Sequence, residues 1–299
     1  MPVEQLPLFA LTQESPLSTA INGFHEYMIL KGFTENTIKA FLNDLRIFTR
    51  YLNDDPPLSQ INTDVLNDFL TYLRYYRGVP CKPKSYARRV TTLKVFFGWL
   101  AEEGILPSDP AARLIHQPVS TPLPQILHEG EVEKLLQVTE GLMHADQPDA
   151  RPHLLVTLLL HTGIKKGECM AIRLNDIVTT EPEAPFLYIR YSNPKMKHKE
   201  RKLRLPADFG VILEQYVAQY QPKERLFECT ARNLEYVLDH VARLAGIERI
   251  SFEILRWTCA VRDFKAGMPS EKLRQKLGLS KISWQETSEK LKKLAAPPL

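Results

Sequence analysis

No tyrosine stands between Tyr236 and Leu299, and no histidine follows His240. The C-terminal stretch therefore offers neither a phenolic nucleophile nor an imidazole to activate another group. Acidic residues are missing from a second place: none occurs from Phe69 to Ala101. Cysteine is scarce. Cys81, Cys169, Cys229 and Cys259 lie far apart with no Cys-x-x-Cys spacing, which suggests neither a zinc site nor a disulfide framework and fits reduced thiols. No run reaches the roughly 18 apolar residues of a membrane span. The N-terminus carries Glu4 and no basic region, so it does not read as a secretory signal. A cytoplasmic protein with no membrane contact, no metal and no cofactor is expected.

What is present is an ordinary globular composition. The chain has 299 residues, 44% of them hydrophobic, and a formal net charge of +4. That length is enough for two domains. Residues 1–16 hold three prolines and little periodicity, and read as a flexible lead-in. From Leu17 the pattern is helical. Phe24, Tyr27, Met28 and Leu30 share a face that ends at Lys31-Gly32. Thr34 opens a second helix with Ile38, Phe41, Leu42, Leu45 and Phe48 at steps of three and four, stopped by Asp54-Asp55-Pro56-Pro57. Thr63-Asp64 caps a third, and Lys84 to Leu100 forms a fourth. These helices predict an all-α domain over 17–116.

Residues 117–125 are proline-rich and read as an extended linker. Beyond it, 126–299 reads as a mostly α domain. Helices are predicted from His128 to Val138, Arg151 to His161, Phe209 to Tyr220, Ala231 to Ala245, Glu253 to Ala266 and Pro269 to Leu277. Phe186 to Arg190 and Arg201 to Leu205 form a predicted antiparallel hairpin around a basic turn.

The acid-free stretch carries Arg74, Arg77, Lys82, Lys84, Arg88, Arg89 and Lys94, interleaved with Tyr72, Tyr75, Tyr76 and Tyr86. A one-signed patch of this kind binds a phosphate backbone by releasing counterions. The hairpin adds Lys195, Lys197, Lys199, Arg201, Lys202 and Arg204, diluted only by Glu200. Double-stranded DNA is the expected partner. The alternatives for these runs are a solvated helix face and a charged sheet edge that discourages pairing.

Three features together resemble the tyrosine recombinase (phage integrase) family. The order of parts is a small helical domain, a proline-rich linker and a mixed domain. His161-Thr162-Gly163-Ile164-Lys165-Lys166-Gly167-Glu168 is followed by Leu174 and Asp176-Ile177, where the family reads Thr-Gly-x-Arg-x-x-Glu, then Leu and Asp-Ile. Leu255-Arg256 is followed by Leu277-Gly278-Leu279 and a serine-containing turn, where the family has Leu-Arg and Leu-Gly-His. The resemblance implies a SAM-like core-binding domain and an α-rich catalytic-type domain with a small antiparallel sheet, closing around duplex DNA.

It also implies where the active site would lie. The first family arginine falls on Lys165, the hairpin lysine on Lys195 or Lys197, and the first histidine on Glu253. The second arginine is kept as Arg256, which joins the expected DNA contacts, and Trp257 takes the next histidine position. The Leu-Gly-His histidine falls on Leu279 and the nucleophilic tyrosine on Ser288. Lysine offers a point charge where arginine offers a planar fork, and leucine neither donates nor accepts. A serine needs an activating base. Glu168 is expected to pair with Lys165, and Glu253 with Arg256 at i,i+3. A protein that holds DNA without cutting it is therefore expected, as an architectural, regulatory or accessory factor. Its helix Ser283–Leu294 would dock, through Leu291 and Leu294, on another copy or an active recombinase. The rival readings are a strand-cleaving recombinase with a non-standard nucleophile and a protein-interaction module.

Overall fold

In the computed structural model, residues 11–115, 122–180 and 185–296 are described. The chain divides into two units, 1–122 and 123–299. The first is built of α1 (Leu17–Leu30), α2 (Glu35–Leu52), α3 (Thr63–Tyr75) and α4 (Pro83–Glu102). Its core is aromatic: Phe24, Phe48, Phe69, Phe96, Phe97 and Trp99 are enclosed. Gly32 follows α1 at φ +70°, and Thr34 caps α2 by accepting the Thr37 N–H. The cap of α3 is Asn62, not Thr63-Asp64, because its Oδ1 accepts the N–H groups of both Asp64 and Val65. Residues 13–16 are not a loose lead-in. Ser15 and Gln13 accept the N–H groups of Leu58 and Ser59, and Pro16 bridges Pro57. Residues 1–10 and 116–121, which include 117–121 of the expected linker, lie outside the described residues.

The second unit surrounds α6 (Arg151–Thr162), whose Leu154 to Leu160 run is buried throughout. A helix apolar all round belongs at the centre of a fold. It packs against α5 (Glu129–Met143), α8 (Phe209–Tyr220), α9 (Ala231–Leu244) and α10 (Phe252–Lys265). Gly163 ends it in the left-handed region at φ +60°. The short α7 (Lys166–Ala171) follows. The sheet has order β1-β2-β3, all antiparallel: β1 (Ile177–Val178), β2 (Phe186–Ile189) and β3 (Arg201–Arg204), with Leu187 opposite Leu203. The basic tip between β2 and β3 winds into 3₁₀ turns over Pro194–Lys199.

The chain finishes with α11 (Ser270–Lys276) and α12 (Lys281–Ala295). Leu291 of α12 is fully buried in a small cluster with Ala260, Val261, Leu273 and Leu277. Leu294, on the same side of α12, is half-buried against that cluster. No helix among the described residues is long and apolar enough to cross a membrane.

Candidate functional site

Lys165 stands between α6 and α7, at the N-cap of α7. Arg256 lies one turn into α10, whose start is capped by Ser251 accepting the Ile254 N–H. Both line an open cavity of 650 Å³ together with Lys166, Arg232, Arg249, Glu253 and Trp257. Glu253 is exposed and does not hold Arg256. The Arg256 guanidinium donates to the carbonyls of Gly163 and, at 2.7 Å, Leu277. Burial holds the Arg256 guanidinium below its ordinary range, with Glu168 opposing. Lys165 Nζ reaches the Gly278 carbonyl at 3.4 Å. Burial holds this ammonium below its ordinary range too; Glu168 opposes, and Arg256, Lys199 and Arg201 reinforce.

The expected Lys165–Glu168 ion pair is replaced by another. The Lys165 backbone N–H donates to Glu168 at 2.8 Å, but the side-chain partner of Glu168 is Arg201. Arg201 grips the carboxylate with both terminal nitrogens, at 3.1 and 2.9 Å, and the Tyr191 hydroxyl donates to it as well. Burial alone would raise the Glu168 carboxyl; Arg201, the Lys165 N–H and Tyr191 overcome it and hold the group at about 2. Tyr191 is pushed up to about 12 by burial and by Glu168.

Arg201 was expected on the DNA face; its side chain is 8% exposed and committed to Glu168. The strand pattern carried a signal for this. Arg201 shares a sheet face with buried Leu203, while Lys202 and Arg204 point out. Lys195 and Lys197, the expected hairpin lysines, are exposed on the 3₁₀ turns. Lys199, half-buried, is the hairpin lysine whose charge acts on Lys165. Leu279 is half-buried against the α10–α12 cluster, and the Ser288 hydroxyl donates to the Gln285 carbonyl at 2.9 Å.

In the first unit the acid-free stretch meets its acid from another helix. Asp44 of α2 is buried and takes both arms of Arg88, each at 2.8 Å. Arg89 Nε lies 3.4 Å from Asp44, with its side chain 8% exposed, and Arg89 also donates to the Cys81 sulfur. The expectation of a phosphate contact is corrected for Arg89, which is enclosed. Arg74, Lys82 and Lys84 are exposed, Arg77 and Lys94 half-buried. Arg74 stacks on Tyr86 at 4.3 Å, and Lys94 donates to the Ala112 carbonyl.

The phage integrase N-terminal SAM-like domain matches residues 21–104, and the phage integrase family matches residues 125–287. The chain belongs to the phage integrase family. It is 32% identical to tyrosine recombinase XerC of Oceanobacillus iheyensis over 222 residues, 74% of this chain and 68% of that one. It is 25% identical to tyrosine recombinase XerD of Listeria innocua over 89% of this chain and 92% of that one. Among solved structures, XerH recombinase bound to palindromic difH shares the fold at TM-score 0.71 and 17% identity, covering 97% of this chain and 96% of that one. A lambda integrase dimer bound to a COC' core site gives TM-score 0.69 at 17% identity, covering 91% and 77%.

These relatives correct one expectation. A non-enzyme was inferred from Lys165, Glu253, Leu279 and Ser288. Relatives that match most of this chain carry the names of recombinases, which are catalysts, and nothing in the structure shows this one inactive.

Proposed function

We propose that this protein binds duplex DNA and acts in site-specific recombination, in an assembly with further copies or a related recombinase. The observation that carries this is the cation site of the second unit. Lys165 and Arg256 line one open cavity, and the charge of Lys199 acts on Lys165 from the hairpin. A phosphodiester entering the cavity meets groups already desolvated and held by backbone carbonyls, so their charge acts without reorganisation. Arg74, Arg77, Lys82, Lys84, Lys195 and Lys197 supply further phosphate contacts. A lambda integrase dimer bound to a COC' core site and a lambda integrase tetramer bound to a Holliday junction, both similar in fold, support this reading.

Strand cleavage on this scaffold would take its attacking oxygen from a hydroxyl other than a tyrosine of α12. By the family spacing, Ser288 falls at the tyrosine position. Attack of its Oγ on phosphorus would form a phosphoserine ester and break one P–O bond to the sugar. The serine proton would pass to water, and the leaving oxygen would take a proton from a lysine ammonium. Lys165, whose proton burial loosens, and Lys199 are the acids at hand.

The test is duplex binding across a salt series, repeated with nicked substrates on a denaturing gel. Six to ten phosphate contacts predict an affinity loss of about 10³–10⁵ between about 50 and 200 mM salt. Folded protein that shifts no duplex at the lower salt overturns the proposal. A covalent band lost in Ser288→Ala assigns the attack to Ser288. A band that survives moves it to another hydroxyl, and binding without any band places the protein in the DNA-holding steps of recombination.

A further inference from the structure

We infer that Arg201 is the positioning residue of the cation site, setting where Lys165, Lys199 and Arg256 present their charge. The inference rests on the DNA-binding reading above and adds a residue to it. One guanidinium joins three segments. It grips Glu168, whose carboxylate also holds the Lys165 N–H. Its Nη1 donates to the Lys199 carbonyl at 3.1 Å, fixing the base of the basic tip. Its Nε donates to the Lys276 carbonyl at 2.7 Å, one residue before Leu277, whose carbonyl receives Arg256.

The packing leaves this guanidinium no second place. A Cβ on Gly278 would lie 2.7 Å from Arg201 Nη1, and the Gly278 carbonyl is the acceptor for Lys165 Nζ. Tyr191, at the other foot of the hairpin, donates to Glu168 as well. Both feet of the Lys195–Lys199 tip are thereby tied to the turn that carries Lys165. An exposed arginine on β3 would add one phosphate contact. An enclosed one sets the geometry of three cations, and a rigid constellation binds a phosphate more tightly than a loose one.

The experiment removes the pair without leaving a lone buried charge. Glu168→Gln with Arg201→Met keeps the volume and leaves neither ion behind. Without DNA, amide exchange across 186–204 is expected to rise on the order of 10-fold while Leu154–Leu160 of α6 is unchanged. With DNA, Lys199→Ala is expected to weaken binding by about 10-fold in the wild type and less than about twofold in the double variant, a coupling that marks neighbours in one network. Arg201→Lys is expected to behave like the double variant, because an ammonium cannot hold three carbonyl and carboxylate partners in a plane. Exchange that changes equally in hairpin and α6, or a Lys199→Ala effect that is the same in both backgrounds, overturns the inference. Wild-type protein that binds no DNA overturns the function reading instead, and the exchange arm then decides the clasp alone.

Discussion

Asp44 and Glu168 are both buried carboxylates that hold arginines, and the two sites differ in how far the arginine is enclosed. Asp44 is 2% exposed and Arg88, its bidentate partner, 41%. Glu168 is 3% exposed and Arg201 8%. The Arg88 guanidinium is exposed on one side and is held by Asp44. Arg201 is surrounded, with two backbone carbonyls as further partners. An ion pair at a surface is worth little and is exchangeable, whereas breaking an enclosed one strands a charge. The first unit thus keeps an arginine that a phosphate can compete for. The second uses its arginine as internal scaffolding.

The largest expected effect follows from that contrast. Glu168→Ala strands Arg201 and is expected to cost about 3–5 kcal/mol in urea unfolding. Asp44→Ala is expected to cost less, about 2 kcal/mol, because Arg88 can turn to water and enclosed Arg89 keeps its bond to the Cys81 sulfur. Equal losses, or a Glu168→Ala cost below about 1 kcal/mol, would break the comparison.

A pH series sharpens it. The Glu168 carboxyl falls from its ordinary 4.5 to about 2 in the folded protein. A depressed carboxylate contributes stability that is complete above the unfolded value. That stability drains away as pH falls from 4.5 towards 2, because the unfolded chain takes the proton first. The shift corresponds to about 3 kcal/mol. Glu168→Gln should therefore lack this part of the acid limb, and its stability difference from the wild type should shrink steadily below pH 4.5. A difference that stays constant down to pH 2 would show that Arg201 does not hold the ionised form.

Gly278→Ala is expected to cost about 1–3 kcal/mol. The residue sits at φ +59°, and its new Cβ would meet Arg201 Nη1 at 2.7 Å. A clash with a side-chain end is usually relieved by a small swing. Here four hydrogen bonds to Glu168, Lys199 and Lys276 hold that end in place. A loss no larger than Gly267→Ala, where nothing lies within 4 Å, would show that Arg201 is free to yield.

Local periodicity accounts for the parts that were legible in sequence. The helices of the first unit and α8 and α9 follow steps of three and four, α6 is a continuous apolar run, and the hairpin strands flank a basic turn. Lys165 and Arg256 were legible as neighbours only through the family spacing. The ion pairs were not legible, because each joins residues far apart in the chain: Asp44 with Arg88, and Glu168 with Arg201. Counting charge along 69–101 treated a helix as if its neighbours were solvent. The clue was positional. Asp44 lies on the apolar face of α2 between Phe41 and Phe48, and Arg89 lies four residues before buried Leu93 on α4. A charged residue at a core position calls for a partner of opposite sign across the interface.

The smallest effect separates the exposed arginine from its lysine neighbours. Arg88→Ala is expected to cost below about 1 kcal/mol in stability. Asp44 is not orphaned by the change, since Arg89 remains near it and the Thr92 hydroxyl donates to it at 3.2 Å. In DNA binding, Lys82→Ala and Lys84→Ala should each reduce the slope of log affinity against log salt by about 1. Arg88→Ala should leave that slope unchanged if Asp44 keeps the guanidinium when DNA is bound. Asp44→Asn separates the cases further. It releases Arg88 without removing it, so the slope should steepen by about 1 relative to wild type. An Arg88→Ala slope reduced as much as that of Lys84→Ala would mean that phosphate already wins Arg88 from Asp44, and that the first unit's ion pair is a resting place for a DNA contact.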